Sequence, residues 1–374
     1  MLTAIVAIRM LGLFLFIPIL SPYLNTLQDH TPFLIGLTVG IYGLAQVCLQ
    51  IPFGRLSDRW GRKKVVLLGL ALFGLGSYCA SMAVSITGVL MGRALQGAGA
   101  ISGTVMAWVS DLSLEASRTR AMALFGISIG AAFLMAFVMG PLLRSFLTMP
   151  DLFFGVGVSA IVMILLVCAV PDPKLQSASN TATRAVWFGL PKQHQRLLLC
   201  HALGIFILHA VLTANFVVLP FKFEWAGIPY VEQAYGYGIC FTLAVLLMLP
   251  LLAYGERSKQ MGFVLSVAQI LIILAEVIFA MWGEHRGGLW VGLCLFFIGF
   301  NILEASLPSL VSKLAPAAYR GVVMGGYSTA QFLGPAVGGI LAGLLWWGEA
   351  QGLFILLSIP MIVWLILLRM IRIW

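Results

Sequence analysis

The chain alternates about twelve long apolar segments with short polar connections, and no other property limits its fold as tightly. The segments are 2–25, 33–53, 65–86, 88–111, 119–143, 151–170, 197–221, 232–253, 261–282, 288–312, 320–346 and 351–370. Each is close to the ~20 residues an α-helix needs to cross the hydrocarbon core of a bilayer. In that solvent the backbone N–H and C=O groups of a segment must bond to each other, so each segment is expected to be a helix. Of the 374 residues 61% are hydrophobic and 9% charged, where a soluble domain carries about 25% charged residues. The expected class is an all-α integral membrane protein of twelve transmembrane helices.

The cations test this map. With both termini cytoplasmic, 17 of the 22 lysines and arginines fall at inside ends, three (Arg144, Lys222, Arg286) at outside ends, and Arg9 and Arg93 within segments. Cytoplasmic loops carry the excess of Lys and Arg, and one missed helix would swap every later loop. The net charge of +9 is thus spread between apolar runs, which points to topology and not to nucleic acid. Only Met1 precedes the first segment, so no cleavable signal is expected. Residues 171–196 form a polar linker, which sets an N-terminal six-helix half at 1–170 and a C-terminal half at 197–374. The halves echo each other at an offset near 200: Asp58 and Glu256, Arg120 and Arg320, Gly140-Pro141 and Gly334-Pro335. Such echoes mark two halves related by an axis along the membrane normal. The six cysteines all lie in apolar segments without CxxC spacing, and read as small core residues and not as a disulfide or metal framework.

Several chemistries are missing. There is no phosphate-binding loop, no His/Cys metal spacing, and no extramembrane stretch long enough for a nucleotide-binding domain. An enzyme, an ATP-driven pump, a cofactor and a metal are therefore not expected. A membrane scaffold is disfavoured by the short loops. The densest polar feature is 54–64, GRLSDRWGRKK, which is expected to be a short cytoplasmic loop. Asp58 and Arg62 are four apart and would meet on one helical turn, and Gly54 and Gly61 would let helices approach closely.

This loop, matched at Gly54, Leu56, Asp58, Arg59, Gly61, Arg62 and Lys63, resembles the loop after the second helix of major facilitator superfamily transporters. Leu90, Arg93, Gln96, Gly97, Gly99 and Ala100 resemble a second motif of that family. Further stretches across the chain, among them RMLG at 9–12, GIYGL at 40–44, QIPFG at 50–54 and GRALQG at 92–97, resemble the YajR-type bacterial exporters. Members of that group can carry a soluble domain after the last helix; with Trp374 four residues past the last segment, none is expected here. The resemblance implies a monomeric secondary transporter of the bacterial inner membrane, with small molecules, protons and lipid as partners. It implies a conformational latch of Gly54, Asp58, Arg59, Arg62, Lys63 and Asp111, with Asp58 facing the start of segment 11 and Asp111 partnering the loop arginines. It also implies a cavity lined from segments 1, 4, 7 and 10, with Arg9, Gln96, Asn215, Asn301 and Gln331 as candidate lining residues.

The buried ionisable residues are the candidates for proton coupling. Arg93, Gly97, Ala100, Thr104, Ala107 and Asp111 would share one face of a continuous helix, about 27 Å from first to last. Glu304 would lie about 12 Å from a helix end, too deep to escape to water, on a face with Asn301 and Pro308. Glu276 sits nearer an end and would reach toward it. His209 is well inside its segment, as relay or as neutral core residue. Arg9 has no identified partner. Segment 11 carries Gly334-Pro335-x-x-Gly338-Gly339, the core of a pattern that drug exporters of the family carry in segment 5; here segment 5 keeps only Gly140-Pro141. The expected function is proton-coupled export of amphipathic, drug-like compounds. The alternative is import of a small nutrient or organic anion, in which Arg9 and Arg93 would bind the anion.

Overall fold

The computed structural model describes residues 1–113, 115–172, 189–316, 319–346 and 350–370, without the side chains of 115–119 and 193. The linker expected at 171–196 therefore lies outside the described residues from 173 to 188, and so do Lys174, Arg184 and Arg372.

Fourteen helices and no strand occur among the described residues. They are α1 (Leu2–Phe14), α2 (Leu20–Leu24), α3 (Pro32–Trp60), α4 (Arg62–Ser81), α5 (Ile86–Ala98), α6 (Ser102–Leu112) and α7 (Glu115–Arg144). There follow α8 (Met149–Ala169), α9 (Lys192–Trp225), α10 (Tyr230–Arg257), α11 (Met261–Trp282), α12 (Arg286–Leu314), α13 (Arg320–Leu345) and α14 (Ala350–Met370). Ten of these are long and apolar enough to cross a membrane singly. The other four are segments 1 and 4, each broken in two, so the twelve expected segments are all accounted for.

Each break falls at a residue that a regular helix accommodates poorly. Between α1 and α2 lies Pro18, which has no N–H to give to the preceding turn; the backbone there tightens to Ile17 N–H on Phe14 O (3.0 Å) and Ile19 N–H on Phe16 O (3.1 Å). Between α5 and α6 the chain turns through Gly99, whose position leaves no room for a side chain: a Cβ there would lie 2.3 Å from the Gly69 carbonyl oxygen. This break overturns the single continuous face expected from Arg93 to Asp111. Gly97 ends up in α5, Ala100 in the turn, and Thr104, Ala107 and Asp111 on α6.

The charged stretch after segment 2 is not a loop. Helix α3 runs through it to Trp60 and α4 begins at Arg62. The single residue between them, Gly61, has φ +97°, a conformation that costs other residues a clash with their own Cβ.

The chain divides into two compact units, Met1–Ser179 and Asn180–Trp374. In the first, α1 packs on α7, α3 and α4 on α5, and α4 on α8; in the second, α9 packs on α13, α10 and α11 on α12, and α11 on α14. Counted as segments these are the same pairs, six apart. The echo extends to single residues. A Cβ on Gly140 would lie 2.5 Å from Leu15 O, and one on Gly334 2.5 Å from Phe206 O. Both Gly-Pro pairs thus bring the fifth helix of a unit backbone to backbone against its first.

Candidate functional site

Three polar clusters sit in or against the apolar interior. At the α3–α4 junction Arg62 is the hub. Its Nη1 donates to Asp58 Oδ1 (2.5 Å) and Ser57 Oγ (2.6 Å), and its Nε donates to Asp111 Oδ2 (3.1 Å). Asp58 and Arg62 therefore meet across the Gly61 turn and not along one helix. Lys63 Nζ donates to the carbonyls of Cys168 (2.7 Å) and Val170 (2.9 Å), the open end of α8. A cation there satisfies acceptors that the helix leaves unpaired. Arg59 is exposed and makes no ion pair among the described residues. The close approach expected at Gly54 and Gly61 is absent: a Cβ on Gly54 would meet nothing within 4 Å, and one on Gly61 only the Asp172 carboxylate at 3.7 Å. Ser57, fully buried under Arg62, was not singled out by sequence; the motif's fixed spacing was its only signal. At the second unit's equivalent place Glu256 and Lys313 lie 3.8 Å apart, both about two-thirds exposed.

The second cluster holds both buried arginines. Arg9, 1% exposed, donates from Nη2 to Tyr42 Oη (2.8 Å), Gly99 O (2.8 Å) and Gln46 Oε1 (3.5 Å), and from Nη1 to Ser102 Oγ (2.9 Å). Its guanidinium thus takes a carbonyl freed by the α5–α6 break and a hydroxyl from the first turn of α6. Arg93 donates to Gln96 Oε1 (3.0 Å), and Gln96 Nε2 to Ser77 Oγ (2.8 Å). Arg93 also lies over the rings of Tyr42 (5.3 Å) and Phe16 (5.7 Å), as a desolvated cation favours. No carboxylate pairs with either arginine among the described residues. Gln96, a candidate cavity residue, is fully buried with both ends of its amide occupied.

The third cluster joins three candidates from three helices. Gln331 of α13 donates from Nε2 to Glu304 Oε1 of α12 at 2.9 Å. His209 of α9 places Nε2 3.7 Å from Glu304 Oε2 and 3.4 Å from Gln331 Nε2. Its other nitrogen, Nδ1, lies 3.1 Å from Ile205 O. A carbonyl can only accept, so Nδ1 carries a proton and Nε2 faces the cluster as the open site. The packing that assembles this triangle is the Gly-Pro-x-x-Gly stretch of α13. A Cβ at Gly334 would strike His209 Cβ at 2.9 Å, and one at Gly338 would strike Ala210 O at 2.0 Å. Gln331 sits one turn before that contact, and Tyr327, 3% exposed, one turn earlier still, within electrostatic reach of Glu304. Glu304 is less buried than its depth suggested, with a third of its side chain exposed. Asn301 turns back to Phe297 O of its own helix (2.7 Å).

Glu276 departs from expectation. It does not reach toward the end of α11 but is fully buried, accepting from Asn215 Nδ2 of α9 at 2.6 Å. Asn215 supplies an interior donor, which keeps the carboxyl in the core. No group of three or more metal-ligating side chains occurs among the described residues.

A carboxylate and an imidazole 3.7 Å apart, bridged by an amide that reaches both, can present polar atoms and a titratable pair to a small molecule or a proton. The comparisons with known proteins agree with a transporter. The Major Facilitator Superfamily profile matches residues 2–339. The chain is 41% identical over 364 residues to the inner membrane transport protein YajR of Escherichia coli K12, covering 96% of this chain and 80% of that protein. It is 24% identical to multidrug resistance protein 2 of Bacillus subtilis 168, covering 90% and 86%. The solved structure of the nucleoside transporter NupG superposes with a TM-score of 0.77 at 14% identity, covering 100% of this chain and 98% of that one, which shows a shared fold. These matches span the chain, and the twelve-segment, two-unit architecture accords with them: it belongs to the Major Facilitator Superfamily, a multi-pass membrane protein and secondary transporter of small molecules, not an enzyme.

Proposed function

We propose that the chain is a proton-coupled antiporter that exports amphipathic compounds by alternating access, working as a monomer in a bacterial inner membrane with both termini cytoplasmic. The observation that carries this reading is the His209–Glu304–Gln331 cluster, two titratable groups and an amide gathered from three helices of one half. Glu304 and His209 take and release the proton, and Gln331 holds the carboxylate oriented toward the imidazole. Glu276 and Arg93 are secondary coupling candidates, and Arg9, Gln96, Asn215 and Asn301 are candidates for the surroundings of the substrate. The Arg62 hub, with Asp58 and Asp111, acts as a latch that favours one conformer, helped by Lys63 at the end of α8. The relative named a multidrug resistance protein supports export.

The test is transport in inverted membrane vesicles with an imposed proton gradient. Candidate amphipathic dyes should be moved and protons consumed, and Glu304→Gln should abolish both. Dye movement that survives Glu304→Gln at full rate sinks the coupling assignment. A second reading is uptake of a small organic anion, favoured by the two buried guanidiniums that have no carboxylate partner. Deletion separates the two: export predicts sensitivity to toxic compounds, and uptake predicts poor growth on a nutrient.

A further inference from the structure

Two of the six cysteines meet in the interior. Cys240 of α10 and Cys294 of α12 are 54 residues apart, yet their sulfurs lie 2.7 Å from each other. Cys200 is buried beside Trp364, and Cys48, Cys79 and Cys168 are exposed.

The approach is built by the surrounding packing. One turn before the pair, Tyr237 of α10 sets its ring edge-on to Trp290 of α12, centroids 6.2 Å apart. Directly after it, Phe241 packs on Phe297 at 4.2 Å. Gly236 makes the space for the indole, since a Cβ there would lie 2.1 Å from the Trp290 ring. The Trp290 carbonyl faces Cys240 Sγ at 3.9 Å. Aromatic contacts on both sides thus hold the two helices in the register that joins the sulfurs. A disulfide needs the sulfurs about 2.05 Å apart, a length that the 2.7 Å contact already approaches.

We propose that Cys240 and Cys294 are a redox-active dithiol that closes to a disulfide inside the membrane when a membrane-permeant two-electron oxidant of the azodicarboxamide class reaches it. One thiol adds across the N=N bond of the oxidant, forming an S–N bond and an N–H bond. The second sulfur then attacks the first; S–S forms, S–N breaks, and the hydrazine leaves with both thiol hydrogens. The bond ties α10 to α12, and α12 carries Glu304 ten residues beyond Cys294. Oxidation therefore restrains the helix on which the proposed proton site depends. That last consequence rests on the transport reading above; the bond itself does not.

The experiment uses membrane vesicles holding the full chain, with glutathione enclosed to report that the oxidant has crossed. After treatment with diamide the protein is unfolded, free thiols are capped with N-ethylmaleimide, and peptides are mapped by mass spectrometry. The expected result is a Cys240–Cys294 linked peptide that disappears with dithiothreitol, while Cys48, Cys79 and Cys168 are recovered capped. Recovery of Cys240 and Cys294 as capped thiols, in vesicles whose glutathione is fully oxidised, overturns the proposal. In the same vesicles transport should be lost on oxidation and return with dithiothreitol, and Cys294→Ser should be insensitive. A linked peptide with unchanged transport keeps the dithiol and overturns its control of α12. A variant that fails to insert leaves the wild-type peptide map to decide.

Discussion

Apart from Lys222, which lies in the last turn of α9 and pairs with Glu284, the two halves bury ionisable groups of opposite sign. The N-terminal half encloses Arg9 and Arg93, 1% and 3% exposed, and the C-terminal half encloses Glu276 and the partly covered Glu304 beside His209. A guanidinium does not give up its proton in a protein, whereas a carboxyl and an imidazole exchange theirs. The charge inside the first half is therefore permanent, and that inside the second is conditional. Permanence suits a structural role, and Arg9 ties Gly99 O, Tyr42, Gln46 and Ser102 across the break in segment 4. Exchange suits coupling. The same helix pairing thus holds permanent charge in one half and, in the other, the exchangeable groups on which the proposed coupling rests.

Substitutions can break that contrast. The largest effect is expected from Arg9→Ala, which takes their charged donor from the buried Gln46 amide oxygen and Tyr42 hydroxyl, while Gly99 O keeps only the Ile101 N–H. Stability should fall by about 3 kcal/mol, since each orphaned buried polar group costs about 1–3 kcal/mol. Thermal unfolding followed by tryptophan fluorescence in detergent reads this directly, and Arg9→Lys should not rescue, because one ammonium cannot span acceptors on α3, the turn and α6. Glu304→Gln should do the reverse, leaving the unfolding midpoint nearly unchanged and slowing proton-driven transport at least about tenfold, or ~1.4 kcal/mol on the barrier. Should Arg93→Gln, in well-folded protein, abolish proton uptake as fully as Glu304→Gln, the assignment of coupling to one half is lost. Glu276→Gln keeps an acceptor for Asn215, so a stability loss of about 1 kcal/mol or less is expected; a larger loss measured by the same unfolding assay would show that the carboxyl has a partner beyond Asn215. Smallest is Asp111→Asn at the Arg62 hub. The carboxylate is 42% exposed, and ion pairs so open to water contribute about 0–1 kcal/mol. Its effect should appear instead in the rate of conformational exchange, which single-molecule distance measurements between labelled halves would report.

Much of the architecture was legible because the bilayer enforces it. A helix must be apolar where it meets hydrocarbon, so α11, expected at 261–282, is found at Met261–Trp282. The helices run past the apolar limits where nothing apolar is required: α3 continues seven residues beyond position 53, to Trp60, and α9 begins at Lys192, five before position 197. What stayed hidden depends on which helices touch. The turn at Gly99 packs directly against the Gly69 carbonyl, thirty residues away, where no side chain would fit. Arg9 could not be given partners, because they lie on three other elements and none is an acid. Asn215 and Glu276 are 61 residues apart and the two cysteines 54, separations at which polarity alone carries no pairing. His209, Glu304 and Gln331 were each visible as polar residues in apolar company. That they form one triangle is a property of the glycines at 334 and 338, which decide how near α13 may come to α9.

The single residue between α3 and α4 has a consequence for how this motif can change over time. Ordinary loops absorb insertions. Here the two helices meet at one residue, so an added residue would carry Arg62 away from Ser57, Asp58 and Asp111 together. The junction thus acts as a keyed coupling between two shafts: its length cannot drift, nor can the glycine at its centre, and a movement of α3 is handed on to α4 through one residue.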